Sequence, residues 1–424
     1  MKTSVARLLA ILMIIGLALR LATGIWWQAQ LGEGIKFGFG DSATYWELAK
    51  TIAFGLPYEY GPDGAQIFRT PGYPTLLSPI FLMTGNETSV LYGRAVSAVF
   101  GTLTIAVLFW LGRELFGTRA GLLAGAIATF YPGAVAMGAL VLTEATFGFM
   151  MSLQLAIWVA ASQEQSTRRS IGLAIFAGFI AGFATMLRPS WLLFTPFAIL
   201  AALIASRARI RHLSLGIAMM LGLALIMAPW CIRNARLTGH FVPTTLQVGA
   251  SLYDGLNPNA TGASDMAFVE KIANEERQSN VESSTDESFE YRLDRRFRTA
   301  ALDWANSHKS QAAYLAGVKF LRLWNIWPNE KSLSNPMIRL AICLTFTPIV
   351  ALAIVCAFRT IRFGWPYILC WLPAVYFTVL HVVFVGSIRY RQPPMLLLIV
   401  LAAGLLTWGK CEKTNSDTPK TSKI

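Results

Sequence analysis

Charge is scarce in this chain. Only 14% of its 424 residues are Asp, Glu, Lys or Arg, where soluble domains run near a quarter, so an all-round aqueous surface is excluded. Acid is scarcer than base, with 23 acidic residues against 36 basic and a formal net charge of +13. That excess does not mark a nucleic-acid binder, because the basic residues sit mainly in short turns between apolar runs, where membrane topology accounts for them. Five scattered cysteines without a Cys-x-x-Cys give no disulfide framework. The sequence also has no Walker A loop, no Gly-x-Gly-x-x-Gly after a strand, no His-Glu-x-x-His and no Gly-x-Ser-x-Gly. Nucleotide-binding, zinc-protease and serine-hydrolase readings go with them, and no metal-ligand set is expected.

What the chain has in quantity is apolar sequence, 54% of all residues. Ten runs approach membrane-spanning length: 8–26, 90–111, 120–138, 147–161, 171–186, 191–205, 213–230, 337–357, 366–385 and 393–408. A cleaved signal peptide is the alternative for the first, but Arg20 inside the run and the lack of a small-x-small site argue against cleavage. The expected fold class is an all-α polytopic membrane protein of about ten transmembrane helices, with amphipathic outer-face loop helices. Arg113 and Arg119, Arg168 and Arg169, Arg207, Arg209 and Arg211, and Arg359 and Arg362 recur in alternate turns. The positive-inside rule puts those turns, and both termini, in the cytoplasm of a multi-pass plasma (inner) membrane protein.

Four parts follow. Residues 1–230 form an N-terminal transmembrane module with a first outer loop over 28–87, and residues 231–335 a large outer loop. C-terminal transmembrane helices follow over 336–409, and a polar, disordered cytoplasmic tail over 410–424. In the large loop, Trp304, Tyr314, Phe320, Trp324 and Trp327 could anchor a helix at the interface.

Arginine on the outer side runs against the topology rule and is costly near hydrocarbon. Arg69, Arg188, Arg233, Arg389 and Arg391 all stand at outer span ends or in the first outer loop, each beside a proline or aromatic. As a set they suit bidentate recognition of a lipid phosphate, with snorkelling to ordinary headgroups as the plainer reading of any one. Asp41 can act as a general base toward an acceptor hydroxyl, and it is equally well placed as the N-cap of a helix beginning at Ser42. Glu144 either orients substrate or pairs an arginine, and Glu59 and Asp63 are weaker carboxylate candidates. Tyr45, Asn234 and His381 complete the substrate-binding candidates, His381 being more simply a helix-packing histidine.

A resemblance joins these residues. The chain resembles the bacterial membrane glycosyltransferases of the GT-C fold, in the group of protein O-mannosyltransferases and the aminoarabinose and galacturonic acid transferases of lipid A. It is carried by Asp41 with Tyr45, Phe68-Arg69-Thr70-Pro71-Gly72-Tyr73-Pro74, Gly112-Arg113-Glu114-Leu115-Phe116-Gly117 and Leu142-Thr143-Glu144. Leu187-Arg188-Pro189, Pro229-Trp230 with Arg233-Asn234, Gly255-Leu256-Asn257-Pro258 and Arg389-Tyr390-Arg391 with Pro393 continue it in order along nearly the whole chain.

The resemblance implies a polyprenyl-phosphate-linked sugar donor, inverting transfer on the outer face, and Asp41 as the first-loop catalytic acid residue. Many relatives carry Asp-Glu where this chain has Asp41-Ser42, so a role needing two adjacent carboxylates, such as divalent metal binding, is not expected. The expected partners are membrane lipids, the sugar donor and a lipid, glycan or protein acceptor. The alternative is a transporter or flippase of lipid-linked glycans, which calls for paired inverted repeats that the sequence does not display.

Overall fold

A computed structural model describes residues 3–61, 64–282, 287–328 and 335–415. Asp63 and residues 416–424 of the tail therefore lie outside the described residues. The described residues hold seventeen α-helices. They run α1 Thr3–Gln30, α2 Gly40–Ala53, α3 Gly72–Thr84, α4 Val90–Phe116, α5 Thr118–Phe130, α6 Pro132–Met137, α7 Thr143–Gln163, α8 Thr167–Leu187 and α9 Phe194–Ala205. After these come α10 Arg209–Thr238, α11 Val248–Gly255, α12 Phe268–Glu282, α13 Phe289–Ser307, α14 Lys309–Leu323, α15 Pro336–Thr360, α16 Ile368–Val383 and α17 Gln392–Asn415.

Helix is the form that lets an apolar segment satisfy every backbone group without water. Six helices, namely α1, α4, α7, α8, α10 and α15, are long and apolar enough to cross a membrane, and α9, α16 and α17 are shorter apolar helices. The protein is a polytopic membrane protein. The long helices end where the sequence stops them. Ser89 accepts a hydrogen bond from the Leu91 N–H to cap α4, and Asn335 does the same for Met337 with Pro336 in the first turn of α15. Gly239 closes α10 in the left-handed conformation.

Four expectations are corrected. The third run, 120–138, is two helices, because Tyr131 is extended and Pro132 starts α6 afresh. The sixth, 191–205, is a short helix after a 3-10 turn at Pro189–Trp191; its twelve residues span about 18 Å, well short of a hydrocarbon core. The aromatic anchor of the large loop is divided. Trp304 is buried and Trp324 donates to Thr378 Oγ1 at 2.9 Å, while Tyr314, Phe320 and Trp327 face outward. α17 continues to Asn415, into the segment expected as tail.

The bundle packs α8 on α7 and α10, and α4 on α1, α5 and α7. α17 runs through the middle, against α4, α5, α6, α7, α15 and α16, with Met395 to Ala403 buried throughout. One feature sets up the site. α8 begins with Arg168 and Arg169 and ends at Arg188, and twenty-one residues at 1.5 Å each cover about 31 Å, the thickness of a hydrocarbon core. The basic turn and Arg188 therefore stand at opposite ends of the bundle.

Candidate active site

The site is assembled where several helix ends meet. α7 and α8 are antiparallel neighbours joined by a short turn, so the start of α7, with Glu144, lies beside the end of α8, with Arg188. Gly72, the first residue of α3, presses on the end of α8. A Cβ there would lie 2.5 Å from the carbonyl carbon and oxygen of Met186. That contact, open only to glycine, brings Arg69 alongside Arg188. α2 packs its Tyr45, Trp46 and Ala49 face against α3, with Trp46 edge-on to Phe81 at 4.7 Å between ring centroids. The turn between α16 and α17 delivers Arg389 from the other side.

Asp41 does not cap α2. The helix starts two residues earlier than expected, at Gly40, with Phe39 at the cap position and no side-chain cap. Asp41 lies in the first turn, where the helix dipole favours a negative charge, and its carboxylate is bound by arginines. Arg69 Nη2 donates to Oδ1 at 2.6 Å and Arg389 Nη1 to Oδ2 at 3.1 Å. Arg69 uses its other terminal nitrogen on Gln247 Oε1, also at 2.6 Å. Arg389 Nε donates to Glu144 Oε1, and Arg188 Nη1 lies 3.1 Å from the same oxygen, an ion pair off the line of a hydrogen bond.

Aromatic faces back each cation. Arg69 lies over Tyr45 and Phe68, Arg188 over Phe147 and Tyr390, and Arg389 over Phe39 and Tyr390, at 4.8–6.0 Å.

Three guanidiniums against two carboxylates leave one net positive charge. The Glu144 side chain is wholly enclosed, whereas that of Asp41 is 34% exposed. Burial raises the Asp41 carboxyl, but the charges of Arg69 and Arg389 outweigh it, and the net shift is below the ordinary aspartate value. Asp41 is therefore ionised at neutral pH. An anion entering between the arginines competes with Asp41 for their N–H groups and leaves a carboxylate free beside it.

Not every flagged residue joins this cluster. The expectation for Arg391 is corrected, because its side chain is fully enclosed. Nη1 donates to the Asn325 carbonyl at 2.5 Å, and the guanidinium stacks on Phe346 at 3.7 Å. The two-residue step from Arg389 turns it into the bundle. Arg233 donates to the carbonyls of Gln66 and Tyr58 and lies over Trp230, tying the first outer loop to α10. Asn234 is buried and donates to the Val242 carbonyl at 2.9 Å. Both hold loop backbone, away from the charged cluster.

Tyr45 lies under Arg69, edge-on to Tyr73. His381 donates from Nδ1 to the Val385 carbonyl and stacks on Tyr390 at 4.4 Å, so it stands behind the ring that backs Arg188. Glu59 lines an open groove of about 750 Å³ with Glu47, Lys50 and Asn86. Among the described residues no group of three His, Cys, Asp or Glu gathers as a metal site. Gln247 went unflagged, since a lone glutamine in a loop carries no pattern.

Comparison with known proteins agrees with this architecture. The chain matches archaeal oligosaccharyltransferase AglB from Archaeoglobus fulgidus, solved with an inhibitory peptide and a dolichol-phosphate, at TM-score 0.60 and 16% identity, covering 100% of this chain and 53% of that one. The same enzyme tethered to an acceptor peptide with the NVT sequon matches at TM-score 0.62 and 17% identity, over 99% of this chain and 51% of that one. The chain thus spans about half the length of the oligosaccharyltransferase. ArnT from Cupriavidus metallidurans, bound to undecaprenyl phosphate, matches at TM-score 0.44 and 15% identity, over 98% of this chain and 80% of that one. No curated protein matches by sequence. The fold is that of the GT-C membrane glycosyltransferases. Within that class, residues 69–232 match the family described as dolichyl-phosphate-mannose-protein mannosyltransferase.

Proposed function

We propose that this protein is a glycosyltransferase that moves one sugar from a polyprenyl-phosphate donor to a hydroxyl of a lipid, glycan or protein acceptor at the outer face of the plasma membrane. The observation that carries it is the convergence of Arg69, Arg188 and Arg389 on Asp41 and Glu144 with one positive charge left over. A sugar phosphodiester brings one negative charge and neutralises the site. As the bond from the anomeric carbon to the phosphate oxygen breaks, the leaving phosphate gains a second charge, which the arginines stabilise. The acceptor oxygen attacks the anomeric carbon from the opposite face, inverting it, and its proton passes to Asp41. Donor phosphate takes over the arginine N–H groups that hold Asp41 at rest, so the base is released only when a donor is bound.

The family match over 69–232 and the dolichol-phosphate in the AglB complex support a lipid-linked donor. The basic turns at the far end of α8 support a cytoplasmic side opposite the cluster. The test incubates purified protein with radiolabelled polyprenyl-phosphate sugars and extracts of candidate acceptors. Label should move to an acceptor with wild type and not with Arg389→Ala. No transfer from any polyprenyl-phosphate sugar, with labelled lipid instead crossing proteoliposomes, would establish the flippase alternative.

A further inference from the structure

Below the charged cluster, within the helix bundle, lies a cavity of about 20 Å³ lined by Arg20, Glu144 and Gln392, with Thr104, Ala134 and Ala145 in its wall. Arg20 comes from the middle of α1 and is 1% exposed. It donates from Nη1 to the Gly16 carbonyl and from Nη2 to the Ala128 carbonyl, each at 3.0 Å. Its room is made by two glycines, for a Cβ at Gly101 or Gly138 would come within 2.8 Å of the Arg20 side chain.

Three polar atoms of the lining residues are buried without a hydrogen-bond partner: Arg20 Nε, Glu144 Oε2 and Gln392 Oε1. Such atoms are costly to leave unpaired, the more so when charged. The set is one donor and two acceptors. An anion suits the arginine but not the two oxygens, and a metal cation suits the oxygens but not the arginine. Water accepts from the first and donates to the other two. A hydration site needs roughly 10–15 Å³ per molecule and two to four polar partners, and this cavity supplies both for one or two waters.

We infer that buried water fills this cavity and links Arg20 to Glu144, which makes Arg20 a positioning residue for the charged cluster. Through that water the Arg20 guanidinium fixes the free Glu144 oxygen, which keeps the other aimed at Arg389 and Arg188. Those two arginines are thereby presented toward Asp41 and the entering phosphate. This role rests on the proposed reading of the cluster as a donor-phosphate site, whereas the hydration itself does not.

Two measurements separate those parts. A map of the full wild-type chain that resolves ordered water should show density between Arg20 and Glu144; a dry cavity overturns the inference whatever the protein binds. The second is the affinity of purified protein in nanodiscs for undecaprenyl phosphate, used as a sugar-free probe. Arg20→Gln, and Ala134→Val, which fills the wall without altering charge, should each weaken binding by about 3- to 30-fold, the range of coupling through such networks. In a Glu144→Gln background both effects should shrink toward nothing, because the link runs through that carboxylate. Additive losses, or unchanged affinity in Ala134→Val, overturn the positioning role, and Ala134→Val still decides the matter if Arg20→Gln does not fold. Wild type that holds the water but does not bind the probe condemns the phosphate reading of the cluster and the role assigned to Arg20 together, and leaves the water site intact.

Discussion

The arginines at the outer helix ends fall into two regions that differ in what they hold. Around Asp41 and Glu144, the N–H groups of Arg69 and Arg389 go to carboxylates and to one glutamine, and Arg188 adds an ion pair, with a positive charge in excess. Around the loops at 58–66 and 323–325, Arg233 and Arg391 donate to backbone carbonyls. A carboxylate can be exchanged for a phosphate because both present anionic oxygens at similar spacing. A carbonyl fixed in a loop cannot be exchanged without moving the chain. The same side chain thus holds an exchangeable anion in one region and is a rivet in the other, and only the acceptor it faces tells them apart.

The largest expected effect breaks the first region at its base. Asp41→Asn should cut transfer by about 10²–10⁴-fold, the usual contribution of a positioned base. Melting temperature should fall only by the worth of the Arg69 and Arg389 contacts to the carboxylate, since Asp41 caps nothing. A folded Asn variant that keeps most of its transfer, measured with radiolabelled donor, returns the base to Glu144 or Glu59.

Next comes the direct contrast between Arg389 and Arg391. Arg389→Ala should lower affinity for undecaprenyl phosphate by about 10- to 100-fold, the worth of one or two charge-assisted hydrogen bonds at 1.5–3 kcal/mol. Lys should rescue poorly, lacking the fork. Arg391→Ala should do the reverse, with a loss of stability of roughly 1.5–3 kcal/mol and little change in affinity per folded molecule. Thermal unfolding beside binding reads both, and equal loss of affinity in the two variants would erase the distinction between the regions.

The smallest effect is in pH. The charged arginines hold the Asp41 carboxyl below its ordinary value, so its ionised form, and the stability and activity that depend on it, is complete above that value. Both are lost only as pH falls through the lowered one. The acid limb of transfer due to Asp41 should therefore lie below about pH 4. Arg69→Ala removes one of the lowering charges and should move that limb upward. An acid limb that stays in place would mean Arg69 does not act on Asp41.

Much of the fold is legible in the sequence because spans are set by local composition. Eight of the ten apolar runs hold a single helix along most of their length; of the other two, 191–205 starts in a 3-10 turn and 120–138 breaks at Tyr131-Pro132, a dipeptide that biases the chain away from helix. The destinations of arginine donors are another matter. Arg69 meets Gln247 across 178 positions and Arg389 meets Glu144 across 245, and no local pattern encodes such pairings. Arg389 and Arg391 look alike in sequence, and which one enters the bundle follows from the direction of the turn before α17. Arg20 stood out only as a charge in an apolar run; the glycines that house it lie 81 and 118 positions away.

The central position of α17 bears on how the molecule is made. Helices enter the membrane in the order of synthesis, and N-terminal parts assemble first. α17 follows in the chain every helix it packs against, yet its segment from Met395 to Ala403 forms the bundle's interior. The earlier helices therefore leave a slot that fills only when α17 docks. Arg389 travels immediately ahead of that segment, so the charged cluster closes only when α17 is in place. Until then Asp41 and Glu144 lack the guanidinium that bridges them.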